Sequence, residues 1–407
     1  MPPGSIPHRW SLLAVLTSAY GLGAFGMLGV SPLSPALMQG FALSRFEVAF
    51  IVPSVYVGGL LFSLPGGHLA DQWGVRPTLL GALALGGIGL LAAALAPHFV
   101  VFLLCLVIAG SGWSVVNPVL GKAIVDLFSL TERGIAMGIK QMGLTLGGGV
   151  SALVLPAIAV RWGWRVAVAA CAVAMTAPVV FAWLPLRALA RPRDETPAGD
   201  GLRMDWWWTR RPALLVLFAA GVVLGMLQSA VLAYLPVFSV QALGFSPVGA
   251  GVLIAAAQIG GAVARLGLGI ASDRWSSGRR PPWLMLTSVL GAITFLVYAW
   301  APTAEPVPAA LLAFVAGIGA HGWVGIYFII SAEAGGAGRS GLLSGVSFAA
   351  IVVGLLSGAP LFGTILQLSD SYAAAWAVFA ALSAVVAVVV AVFGAAIHRE
   401  SQSSYAG

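Results

Sequence analysis

Lys140 and Arg265 set the chemical question. Each lies inside a long apolar stretch, where a charge is costly and marks a functional position by default. Lys140 is seven residues past Arg133, and Arg265 is eight residues before Asp273. On helices both would sit roughly 10–12 Å inside an apolar layer about 30 Å thick. Two cations at that depth attract an anion. Arg suits a carboxylate in particular, because its planar fork donates two parallel hydrogen bonds. The competing reading for each is a side chain that snorkels to the nearer interface. The chain has only two lysines, Lys122 and Lys140, and every loop cation is Arg. Lys122 precedes Asp126 by four residues, which places them on one helix face as an end-of-helix ion pair.

Other polar side chains could shape a substrate. Asn117, the only Asn in the chain, precedes Pro118, which frees a carbonyl from a helix ladder. Its amide must bond either a neighbouring helix or a substrate. His321 is the one side chain near mid-span whose unperturbed pKa is close to neutral. It could carry a proton, donate to a substrate, or be a bonded structural histidine. Tyr20, Gln141, Gln228, Gln258 and Tyr327 are further candidate donors; Gln258 and Arg265 are seven apart, on one helical face. No Asp or Glu falls near the middle of an apolar stretch, so a cationic cargo would find no counter-charge.

Several function classes are excluded. There is no Gly-x-x-x-x-Gly-Lys-Ser/Thr phosphate loop, no metal-ligand cluster and no converging Ser/His/Asp or paired-acid set. Neither an enzyme nor an ATP-driven pump is expected, and no cofactor or metal is implied. Cys105 and Cys171 lie in apolar runs and suggest no disulfide framework.

The elements that must position these residues follow from composition. Hydrophobic residues make up 60% of the chain and charged residues 8%, against about a quarter charged in soluble domains. Twelve stretches are long enough to cross a bilayer: 10–37, 47–70, 77–96, 99–124, 134–159, 164–185, 212–237, 247–272, 282–301, 307–331, 340–366 and 372–396. The first reads as a retained span, with no cleaved leader. The 52 glycines and 24 prolines suit closely packed, bent membrane helices. A charged, proline-bearing segment at 186–211 divides the chain into bundles 1–185 and 212–407. With both termini inside, Arg9, Arg76, Arg133, Arg274, Arg279, Arg280 and the linker arginines are cytoplasmic, and only Arg45, Arg161 and Arg165 face out. The positive-inside rule fixes that orientation and accounts for the net charge of +7 without nucleic acid.

One motif occurs in both halves. Gly67-His68-Leu69-Ala70-Asp71-Gln72-Trp73-Gly74-Val75-Arg76-Pro77 separates the second and third stretches. About 200 residues later comes Gly267-Leu268-Gly269-Ile270-Ala271-Ser272-Asp273-Arg274-Trp275, followed by Gly278-Arg279-Arg280-Pro281. This pattern resembles the loop signature of the major facilitator superfamily. The resemblance implies an all-α polytopic membrane protein, twelve transmembrane helices in two pseudo-symmetric six-helix bundles. It implies that helices five and eight meet, so that Lys140 and Arg265 would face one cavity. It also implies a cytoplasmic charge network of Asp71, Arg76, Asp126, Arg133, Asp273 and Arg274, with Glu132 beside Arg133, that latches the gates. Ala264-Arg265 with Gly267, Gly269 and Ser272-Asp273 is similar to the eighth helix of monocarboxylate and oxalate/formate carriers, where the matching Arg binds the substrate carboxylate. Where proton-coupled members often carry an Asp four residues earlier, this chain has Gly261. The fourth-helix Arg of proton antiporters falls at Leu106, and the drug-antiporter Gly-Pro is missing from the run Gly143, Gly147, Gly148, Gly149. The expectation is a monomeric inner-membrane secondary transporter of a small organic anion, a monocarboxylate first, coupled to protons or to anion exchange. The alternatives are an exporter of hydrophobic drugs or metabolites and a carrier of a small inorganic anion such as cyanate.

Overall fold

A computed structural model describes residues 8–129, 132–189, 211–276 and 279–403, without the side chains at 61, 63–68, 70–71, 134, 188–189, 335–342 and 399–403. The described backbone is helical: α1 (Arg9–Leu28), α2 (Ser34–Gly40), α3 (Ile51–Trp73), α4 (Val75–Ala94), α5 (Phe99–Leu127), α6 (Arg133–Trp162), α7 (Trp164–Phe181), α8 (Pro212–Gln241), α9 (Pro247–Trp275), α10 (Pro281–Trp300), α11 (Pro306–His321), α12 (Val324–Ser369) and α13 (Tyr372–Ser403). Turn chemistry sets the boundaries. Gly74 and Gly163, both at φ 87°, let α3 pass to α4 and α6 to α7 through a single residue, a conformation that costs other residues dearly. Ser246 caps α9 by accepting from the Gly249 amide at 3.1 Å. Prolines open α8, α9, α10 and α11, where the missing N–H is no loss.

Eleven stretches of helix are long and apolar enough to cross a membrane among the described residues. The second expected span coincides with α3, whose 23 residues extend about 35 Å. Two spans are less simple than the sequence pattern indicates. The first, Arg9–Gly40, is interrupted by a 3₁₀ turn at Ser31–Leu33 that carries Pro32. The tenth breaks between His321 and Val324, so that α11 and the start of α12 form one discontinuous crossing, Pro306–Ala334. Further along α12, the Ser347 hydroxyl donates to Ser331 Oγ at 2.6 Å. Sixteen residues of straight helix would hold them about 24 Å apart, so the chain doubles back between them and Leu343–Ser369 is a separate crossing.

The chain forms two compact units, one containing α1–α7 and the other α8–α13 together with residues 45–49. That short piece joins the second unit through the Tyr234 hydroxyl, which donates to the Arg45 carbonyl at 2.8 Å, and the Arg45–Asp370 pair at 2.6 Å. The expected linker, 186–211, lies outside the described residues at 190–210. Within each unit, small residues bring helices into backbone contact, the usual device where lipid supplies no hydrophobic drive. A Cβ at Gly143 of α6 would stand 2.5 Å from the Thr17 carbonyl of α1, and one at Gly147 would strike the Gly21 carbonyl. In the second unit, Gly260 of α9 and Gly317 of α11 abut the Phe314 and Ala257 carbonyls in the same way.

Candidate functional site

In the first unit, α1, α5 and α6 converge on Lys140. Its side chain is only 6% exposed. The ammonium donates to Asn117 Oδ1 at 2.7 Å and lies 5.2 Å from the centre of the Tyr20 ring. Tyr20 stacks on Trp113 at 5.4 Å and 12°, and its hydroxyl makes a long 3.5 Å contact to the same Asn117 oxygen. An ammonium has no acceptor, so the amide end facing it must be the oxygen. The Asn117 nitrogen is then a donor on the exposed side of α5. Trp113 takes its place because Gly23 leaves room: a Cβ there would meet the indole at 2.9 Å. Among the described residues Lys140 has no carboxylate partner; its surroundings are an amide and a π-face. The side chain therefore does not snorkel. Gln141, next along α6, is half-buried.

In the second unit, Arg265 of α9 reaches the break in the tenth span. Its Nε donates to the backbone carbonyl of His321 at 2.9 Å. The interrupted ladder leaves carbonyls without their usual N–H, and side chains replace it: the Trp323 indole N–H donates to the Ala320 carbonyl at 2.8 Å. His321 is 2% exposed, pressed against Gly261, where a Cβ would lie 2.6 Å from the His321 Cβ. The departure from the resemblance at position 261 thus has a steric reason, since an Asp cannot share that space. Gln258, two turns before Arg265 on α9, is half-buried. Tyr327 is fully buried, its hydroxyl lying over Gly221 of α8 and its ring edge-on to Trp323. That placement packs Tyr327 into the α8–α12 contact. Gln228 Oε1 of α8 is buried without a hydrogen-bond partner among the described residues.

The Asp71 side chain lies outside the described residues. Arg76 stacks its guanidinium on Trp183 at 4.1 Å. Arg133 caps α5, donating to the carbonyls of Phe128 at 3.1 Å and Val125 at 3.0 Å. Lys122 and Asp126 are half-buried at that end of α5. Glu132 pairs with Arg9 at 2.8 Å. In the second unit the hub is Arg280, whose side chain is 12% exposed and bridges Asp273 at 2.7 Å and Glu333 at 3.1 Å. It also donates to Ser272 Oγ at 2.6 Å, while Arg274 is exposed. Sequence reasoning named neither Arg280 nor Glu333 for this role, nor Trp113 for the site. A signal for Arg280 was present, because Arg76-Pro77 and Arg280-Pro281 occupy the same place in the two copies of the motif.

The sequence profile of the Major Facilitator Superfamily matches residues 16–354. A 3-(3-hydroxy-phenyl)propionate transporter of Escherichia coli (strain K12) is 27% identical over 304 residues, 72% of this chain and 72% of that protein. A hexuronate transporter of Bacillus subtilis (strain 168) is 29% identical over 157 residues, which span 38% of this chain and 37% of that protein. Other relatives at similar identity are named for multidrug resistance or efflux. The crystal structure of a bacterial homologue of the human lysosomal transporter Spinster, inward-facing and unoccupied, shares the fold. Its TM-score is 0.72 over 99% of this chain and 98% of that chain, at 16% identity.

Proposed function

The chain belongs to the Major Facilitator Superfamily, and we propose from that premise that this polytopic membrane transport protein carries a small organic anion, most readily a monocarboxylate. The observation that carries the reading is Lys140. An ammonium 6% exposed, held by Asn117 and the Tyr20 face, has dipoles to stabilise it but no counter-charge among the described residues. Burying an unmatched charge in a helix costs about 3 kcal/mol, and an anionic substrate recovers that cost by completing the pair. Arg265 supplies the second cation, with Nε fixed on the broken helix so that its position is set before substrate arrives. Asn117, Gln258 and Gln228 add hydrogen bonds. Transport proceeds by alternating access between two pseudo-symmetric halves, with both termini on the cytoplasmic side of the plasma membrane. Coupling is to protons or to anion exchange, and the working form is a monomer. The relative named for hydroxyphenylpropionate transport supports an organic acid.

The relatives named for efflux support a second reading, export of hydrophobic compounds, with the Tyr20–Trp113 stack as the recognition surface. A thermal-shift comparison on purified protein separates the two. Carboxylates, aliphatic and aromatic, are expected to raise the midpoint while lipophilic cations of equal size leave it unchanged. Stabilisation by the cations and not by the carboxylates would select the efflux reading.

A further inference from the structure

The second unit carries a groove of about 510 Å³ where α10 begins and α13 ends. None of its lining residues is among those of the transport reading. Its floor is apolar, formed by Met285, Val390, Gly394 and Ala395, and its mouth carries Arg279 and His398. Gly394 lets α13 close on α10, since a Cβ there would lie 3.1 Å from the Pro281 Cβ.

Three observations identify the occupant. First, Pro281 opens α10, and the apolar run of α13 ends at His398, directly before Arg399 and Glu400 in the sequence, so the mouth is at headgroup depth and the floor within the hydrocarbon. Trp275, 75% exposed, and Trp283, tilted against it at 6.3 Å, sit at the same end, as interfacial aromatic residues do. Second, the walls beside the groove are exposed apolar side chains, Leu286 and Val289 on α10 and Val388 and Val392 on α13. That surface faces acyl chains rather than water. Third, Arg279 is exposed and forms no ion pair among the described residues, whereas its neighbour Arg280 is spent on Asp273 and Glu333. A cation at the rim of an apolar cleft at the interface matches an anionic headgroup joined to a hydrocarbon tail. A free inorganic anion would leave the floor unused, and a neutral lipid would leave Arg279 unmatched.

We propose that this groove is a specific site for an anionic phospholipid. The phosphate sits at Arg279 and His398, and one acyl chain lies along α10 and α13 over Ala395.

The test uses the full-length protein in neutral detergent with phosphatidylglycerol or phosphatidylcholine carrying a photoreactive group on one acyl chain. Labelling is mapped onto the α13 segment 385–398 by mass spectrometry. Phosphatidylglycerol should label this segment about fivefold more than phosphatidylcholine, the ratio that one surface cation contributes. Arg279→Gln should reduce it to the phosphatidylcholine level, and Ala395→Leu, which fills the floor, should lower labelling by both lipids. Both positions are exposed, so the variants should elute as the wild type does. Equal labelling by the two lipids in the wild type overturns the proposal, as does unchanged phosphatidylglycerol labelling in Arg279→Gln.

Discussion

At the scale of single residues, the arrangement around Lys140 makes stability and function pull in opposite directions. Among the described residues the ammonium is matched only by the Asn117 amide and the Tyr20 ring, so removing it should relieve a desolvation cost that substrate would offset. Lys140→Met is expected to raise the substrate-free stability by about 1–3 kcal/mol while abolishing carboxylate-induced stabilisation. A thermal melt with and without ligand reads both effects. A drop in the substrate-free midpoint together with intact ligand response would show that Lys140 is structural. His321 contributes differently. Its imidazole is buried and its carbonyl, not its ring, takes the Arg265 bond. Accordingly, His321→Gln should leave the response of uptake to an imposed pH gradient unchanged. Loss of that response with exchange retained would make the ring the proton carrier.

Helices five and six, and nine and eleven, determine what those residues can do. The sequence pattern predicted continuous apolar spans, and lengths and order were legible because about 20 apolar residues are needed for each crossing. The break at His321–Val324 was not legible. Gly322 and Trp323 are apolar and keep the hydropathy of the span, and only the carbonyls taken by Arg265 and the Trp323 indole reveal the interruption. The absence of Asp at 261 was visible, but not its cause, which is a contact between residues 60 apart in the chain. Gly261→Asp should therefore fail to install a proton site. It should displace His321 and destabilise the fold by about 1–3 kcal/mol, measured as a lower melting midpoint with weaker carboxylate binding. A Gly261→Asp variant that melts normally would refute the packing argument. The charge hub is equally non-local. Arg280→Gln should destabilise by about 1–3 kcal/mol because Glu333 and Ser272 lose their common partner, whereas Arg274→Gln, at an exposed position, should change stability by less than about 0.5 kcal/mol.

For the molecule as a whole, the loop arginines give an orientation that can be checked directly. With buried Cys105 and Cys171 replaced by Ala or Ser, a Cys at Arg279 should react with an impermeant thiol reagent only from the cytoplasm, and one at Thr303 only from outside. The reverse pattern would invert the topology. Family and fold were legible because the Asp71/Arg76 and Asp273/Arg274 loops carry a repeated pattern and hydropathy fixes the crossings. Substrate was not, because it depends on which polar groups share a cluster, and chain positions 20, 113, 117 and 140 give no sign that they meet. Lys140, a cation with no carboxylate partner among the described residues, is proposed to select an anionic substrate. Isothermal titration of a carboxylate that stabilises the wild type, into wild type, Lys140→Gln and Arg265→Gln, tests it most directly. Saturable binding is expected for the wild type, and at least tenfold weaker binding for each variant. Wild-type affinity in both variants would contradict it.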